Sequence, residues 1–365
     1  MPLKDSYVIW NNKGGVGKTT LTFHLATHYA MRNPDRRVLV IDLCPQANVS
    51  MALLGSSGPP GSQQNVTTLF VEKKTISYYL QKVTTPLSRV DPRDFLTHVS
   101  DYNDQIPKNI ELLCGDMQLE LVSRSLEHKR QEDPTPEYNP WYFITSCVRI
   151  FIEGNGDGLI GVTADGVKEW VVFIDTNPSF SPYTEIALAA AKKLIIPINA
   201  DDFSREAIKA MLDLVYGITA DETPPDFREY RTRMFHSKAE SYGLRRPEIH
   251  LVINNRTTRY NLRSAAAYQD MADSIIEVLF QAYQKEEECF GGPRGNVAIF
   301  DILGFSGQYF EDLQDFHTTG ILALHTGCPL ATLRGKVQLF YTDVDVKRKQ
   351  VDTYLPHLER LVGKL

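Results

Sequence analysis

Apolar positions along the chain follow two rhythms. Short apolar runs occur at Tyr7–Trp10, Val38–Ile41, Ile110–Cys114, Val171–Ile174, Leu194–Ile198 and Ile249–Ile253, broken only by Glu111 in the third and His250 in the last. They read as buried strands, and a further strand-like run spans Asn296–Ile302. Between them, residues repeat at helical spacing. Lys18 to Arg32 carries Leu21, Leu25 and Tyr29 on one face, with Ala26 and Ala30 alongside. Further helices are expected over 117–128, 141–152, 183–192, 204–216, 264–284 and 351–365. Strands that are almost wholly apolar, joined by helices, specify βαβ units with both sheet faces covered. The expected fold is therefore α/β, with a doubly wound, mainly parallel sheet.

The connections read as turns and loops. Gly55 to Asn65 is a flexible surface loop by composition, and Asp133-Pro134-Thr135-Pro136 breaks the chain. Gly154-Asn155-Gly156-Asp157-Gly158 is a turn; it lacks the carboxylate spacing and the terminal Glu of a calcium loop.

Length and composition narrow the picture. A chain of 365 residues allows about two domains or one enlarged α/β unit. With 42% hydrophobic and 23% charged residues it is neither disordered nor fibrous. No run approaches the roughly 18 apolar residues of a membrane span, and the four apolar residues after Ser6 are too few for a signal peptide. Five scattered cysteines without a C-x-x-C pair argue against zinc ribbons and disulfide frameworks, so a reducing cytoplasm is the expected setting. The net charge of −6 confines any nucleic-acid surface to a local patch.

Candidate chemistry concentrates at Lys13-Gly14-Gly15-Val16-Gly17-Lys18-Thr19-Thr20, between the first strand and the first helix. Glycines let backbone N–H groups turn toward a phosphate, and the helix N-terminus adds a positive dipole. Lys18 can reach β/γ-phosphates and Thr19 can ligate magnesium. Asn12 stands where the ordinary P-loop string begins with glycine, and Lys13 is a second lysine at the loop entrance. Asp42 and Asp175 each end an apolar strand, where a carboxylate faces the crevice of a parallel sheet.

These segments resemble the deviant Walker A motif of the ParA/MinD group of P-loop ATPases. Asp42-Leu43-Cys44-Pro45-Gln46-Ala47-Asn48 is similar to the group's segment after the second strand, and Val171 to Pro178 to its Walker B strand. The resemblance implies ATP and Mg2+ as ligands, a phosphate cradle from Gly14 to Thr20, and metal held around Thr19, Asp42 and Asp175. It further implies that Lys13 crosses a two-fold interface in an ATP-sandwiched homodimer and that Asp42 orients the attacking water. Asn254, with Asn255 as substitute, would contact adenine. The likeness covers residues 5–50 and 170–260 well and 75–128 loosely. Stretches 129–168 and 285–320 read as insertions within one domain spanning 1–365.

A reader surface is expected beside such a switch. Nine Lys and Arg residues lie between Phe227 and Arg263 against Glu229, Glu240 and Glu248, with tyrosines interleaved. A second basic spot comprises Arg334, Lys336 and Lys347-Arg348-Lys349. Non-specific DNA and a stimulating protein are the partners that the resemblance implies, with nucleoid association if DNA is bound. The alternatives are a membrane-positioning ATPase of the MinD kind and a protein-only switch in a multi-protein, for instance defence, assembly. Residues 351–365 look like a packing helix more than a lipid anchor, because Asp352, Pro356 and Glu359 interrupt them.

Overall fold

The computed structural model describes residues 3–55, 59–85, 90–153, 169–218, 228–257, 262–292, 298–339, 343–346 and 348–365. Eight strands form the main sheet: β1 (Leu3–Ile9), β2 (Arg37–Leu43), β3 (Thr97–His98), β4 (Ile110–Leu113), β5 (Trp170–Thr176), β6 (Lys193–Ile198), β7 (Glu248–Thr257) and β8 (Phe310–Gln314). Their order is β3-β4-β2-β5-β1-β6-β7-β8. Every pairing is parallel except β3 with β4, so the expected doubly wound architecture stands.

The helices that shape the site are α1 (Lys18–Arg32), α2 (Asn48–Leu54), α3 (Pro59–Val71), α4 (Ile76–Val83), α5 (Leu119–Lys129), α6 (Pro140–Glu153), α7 (Pro182–Ala190) and α8 (Asp202–Tyr216). Period-two alternation sends each strand's side chains to opposite faces. Val8, Leu39, Ile41, Val172 and Ile174 join a core under α4 to α8. Tyr7, Ile9, Val38, Val40 and Phe173 join the other, under α1, α2 and the helix Arg348–Val362. That last helix buries Val351, Leu358, Leu361 and Val362 and packs against α1, so its apolar face is occupied.

Two sequence expectations need correction. Residues 55–65 are not all loop: α3 starts at Pro59, where a missing N–H costs a helix nothing, and anchors itself through fully buried Leu69. The described part of Asn296–Ile302 is not a strand. Asp301 instead caps a helix over Ile302–Tyr309 by accepting from Gly304 N at 2.7 Å, and β8 follows that helix. The helix expected over 141–152 is present as α6, which buries Trp141, Ile144, Cys147 and Phe151 against α7. The turn at Gly154–Gly158 lies outside the described residues.

One polar residue sits deep in the second core. His24 on α1 is fully buried, lies edge-on to Phe316 at 4.9 Å, and neither ring nitrogen has a hydrogen-bond partner. Burial, with nearby His28 adding to it, drives its pKa down to about 3. The unfolded chain therefore takes up a proton near pH ~6.5 that the folded ring refuses. Stability should fall as pH drops from about 6.5 toward about 3, by about 1 kcal/mol per pH unit from this residue. Urea unfolding of wild type and His24→Leu across that window should show a steeper acid loss in wild type; equal slopes would contradict the assignment.

Candidate nucleotide-binding site

The loop after β1 turns on two glycines in the left-handed region, Gly15 at φ 73° and Gly17 at φ 85°. Gly17 also backs onto the Asn255 side chain, where a Cβ would collide. Asn255 Nδ2 donates to Val16 O at 3.0 Å, so the end of β7 clasps the loop directly. Its neighbour Asn254 points the other way and donates to Asp312 on β8 at 2.8 Å. Of the two asparagines expected near adenine, only Asn255 touches the loop.

Lys18 opens α1 and is buried; its ammonium donates to the carbonyls of Asn11 at 3.1 Å and Lys13 at 2.9 Å. Burial lowers its pKa to about 8, with Asp175 pulling the other way. Thr19 and Thr22, one turn apart on α1, donate to the two oxygens of Asp175 at 2.8 and 2.9 Å. The first helix and β5 thus meet at one carboxylate.

Asp42 lies beside Asp175 in the β2–β5 register and, like it, has no exposure. Its oxygens accept from Cys44 N at 3.0 Å, Ser50 N at 3.0 Å and Ser50 Oγ at 2.7 Å. Gly115 N donates to Ser50 Oγ at 2.9 Å, and a Cβ at Gly115 would lie 2.7 Å from Asp42 Cγ. Burial and the neighbouring Asp175 push Asp42 up to about 7, and burial raises Asp175 as well. Asp175 and the Thr19 hydroxyl are oxygen donors of the kind a hard divalent ion takes, with Lys18 as the nearby cation.

A cleft of about 570 Å³ opens over this cluster. Its floor is Gly14 to Thr20, and its walls are Cys44 to Gln46, Asn48, Thr176 to Pro178 and Glu120. Asp42, expected at the attacking water, does not line it: Cys44 and Ser50 enclose the carboxylate. Lys13 stays within its own chain, with Nζ 2.5 Å from Asp201 and 3.1 Å from Ser204 Oγ. Asp201 also caps α8 by accepting from Ser204 N at 2.8 Å.

The structure brings together Lys18, Thr19 and Asp175 as expected, with Asn255 on the loop. Ser50, Gly115, Asp201 and Glu120 had no motif to announce them. Only Asp201 left a trace, as an Asp three residues before Ser204 at a helix start.

The basic segment is largely neutralised where it is described. Arg231 pairs with Asp213 at 2.9 Å, Arg233 with Glu229 at 3.5 Å and Arg245 with Glu153 at 2.7 Å. Arg246 donates to Tyr216 O, and Lys238 lies over the Trp141 ring. Arg334 and Lys336 are exposed. The side chains of Arg228, Arg256, Arg259, Arg263 and Lys347–Lys349 lie outside the described residues.

Comparison with known proteins agrees with this geometry. An AAA domain family model matches residues 6–132. The chromosome-partitioning ATPase Soj of Thermus thermophilus is 25% identical over 214 residues, which cover 59% of this chain and 62% of Soj. An uncharacterised Methanocaldococcus jannaschii protein is 26% identical over 221 residues, covering 60% of this chain and 68% of that one. The match to Soj therefore spans less than two thirds of its length. The structure of a Cyanothece McdA variant in complex with ATP superposes with a TM-score of 0.58 at 15% identity, over 98% of this chain and 96% of that one, a likeness of fold. No helix among the described residues is long and apolar enough to cross a membrane. Loop, strand-end carboxylates and sequence matches together make this chain similar to the ParA-type P-loop ATPases such as Soj, and its fold is of the same kind.

Proposed function

We propose that the chain is an ATP-dependent, dimerising switch that hydrolyses ATP and serves DNA partition or cargo positioning. The observation that carries this reading is the meeting of Lys18, Thr19 and Asp175 beneath an open cleft at the carboxyl ends of parallel strands. Backbone N–H groups from Gly14 to Thr20 bind the phosphates, and Lys18 swings from its loop carbonyls onto the β/γ end. Magnesium, held by Thr19 and Asp175, would neutralise charge on the phosphates. Phosphoryl transfer of this kind depends on positioning and electrostatics, so turnover is expected to be slow until a partner completes the site.

The trans role of Lys13 is part of the proposal. In the single chain Lys13 is tied to Asp201, so reaching a second subunit requires breaking that pair. The pair is partly exposed and weak enough to exchange for a phosphate contact. ATP-dependent dimerisation would then couple loop occupancy to the start of α8.

A protein-only readout is the second reading, favoured by one observation: the described arginines between Arg231 and Arg246 are already engaged within the chain. DNA contact would fall to Arg334 and Lys336 and to the basic residues outside the described set. Membrane positioning through the last helix has less support, since its apolar face is buried against α1.

Light scattering with ATP–Mg2+ and with ADP should show a dimer in the first case and a monomer in the second. Lys18→Ala should lose nucleotide binding, whereas Lys13→Ala should keep it and lose the dimer. A Lys13→Ala protein that still dimerises on ATP would overturn the trans role. The readouts separate by anisotropy on random duplex DNA with the ATP-bound protein. DNA binding should weaken by about 10-fold or more between ~50 and ~200 mM salt, and no binding at low salt would favour the protein-only switch.

A further inference from the structure

The cleft extends to one side of the phosphate loop. Asn255, clasped to Val16, marks the side toward β7, whereas the cleft runs the other way, past the ends of β5 and β2 to the first turn of α5. Lys18 and Thr19 belong at the β/γ end of a bound triphosphate. The rim formed by Cys44 to Gln46, Thr176 to Pro178 and Glu120 therefore faces the terminal phosphate, where water must attack.

Hydrolysis asks for a group on that rim able to take a proton. Asp175 is occupied by Thr19 and Thr22. Asp42 has no exposure, and both its oxygens accept bonds from Cys44 and Ser50. Cys44 lines the cleft, yet burial pushes its thiol up to about 12, so it is no base. Among the described residues, Glu120 is the one carboxylate that lines the cleft.

Glu120 is also held in place from the far wall. Tyr183 OH donates to Glu120 Oε2 at 3.3 Å, and Asn177 Nδ2 donates to Tyr183 OH at 2.7 Å. Asn177 further donates to Ser179 Oγ at 2.9 Å and lies two residues after Asp175. The relay ties the α5 carboxylate to the strand that bears the Walker B aspartate.

We propose that Glu120 is the general base of ATP hydrolysis. The water oxygen bonds to the γ-phosphorus as its proton passes to the Glu120 carboxylate. The bond from that phosphorus to the β–γ bridging oxygen breaks, and its electron pair leaves with ADP. Glu120 then returns the proton to solvent. Tyr183 and Asn177 are positioning residues for the carboxylate. The assignment rests on the ATPase reading above.

Single-turnover ATP hydrolysis and the affinity for a fluorescent ATP analogue test it on the full chain, in wild type, Glu120→Gln, Glu120→Asp, Tyr183→Phe and Asp42→Asn. Glu120→Gln should slow hydrolysis by roughly 100-fold or more while leaving affinity within about 2-fold. Glu120→Asp should recover part of the rate, and Tyr183→Phe should fall between wild type and Glu120→Gln. The acid limb of the wild-type pH–rate profile should vanish in Glu120→Gln, a change that a merely structural role would not produce. A Glu120→Gln protein that binds ATP and turns over within about 3-fold of wild type overturns the proposal. So does loss of turnover in Asp42→Asn while Glu120→Gln keeps it, or a wild type that binds ATP without hydrolysing it. Failure of wild type to bind the analogue at all overturns the ATPase reading and this assignment together.

Discussion

Parallel pairing of β2 with β5 sets Asp42 beside Asp175, two carboxylates without exposure to water at adjacent strand ends. Burial and like charge favour their protonated forms, and much of the surrounding architecture acts to hold charge there nonetheless. Thr19 and Thr22 satisfy one carboxylate, and Ser50 with the Cys44 amide satisfies the other. Lys18 supplies positive charge from the start of α1. Glycine at 115 is needed because the chain just after β4 passes too close to Asp42 for any side chain. Such a site is built around a charge it does not fully contain, which is the electrostatic case for a nucleotide and its cation.

The same cluster makes the scaffold one unit. β1 delivers the loop, β2 and β5 deliver the carboxylates, and β7 braces the loop through Asn255. α1, which begins at Lys18 where the loop ends, shares one core with the helix Arg348–Val362. Lys13 and Asp201 extend the connection to α8. A change at the loop entrance therefore reaches three helices without passing through a flexible hinge.

Much of this was legible in the chain itself, for a physical reason. The loop and its two flanking elements are local, so glycine placement, the Lys-Thr pair and the helical spacing of Leu21, Leu25 and Tyr29 reveal them. Asp42 and Asp175 are legible because each ends an unbroken apolar strand. The enclosure of Asp42 was not, since it depends on Ser50 from α2 and on Gly115, 65 residues further along. Glu120 was hidden for the same reason: its contact with Tyr183 spans 63 residues and follows from how α5 meets α7. The helix at Pro59 and the helix start at Asp301 were misread because glycine-rich composition and a short apolar run outweighed capping signals that pack only in three dimensions. The basic stretch illustrates the limit of counting, as an arginine tally does not register Asp213 or Glu153 waiting across the fold.

A crystal structure of the chain with magnesium and a non-hydrolysable ATP analogue tests the central claim most directly. The phosphates should be cradled by the backbone from Gly14 to Thr20, with Lys18 turned onto them from the carbonyls of Asn11 and Lys13, and the metal between Thr19 and Asp175. A nucleotide bound elsewhere, or a loop that leaves Lys18 on its own carbonyls with the analogue present, would contradict it.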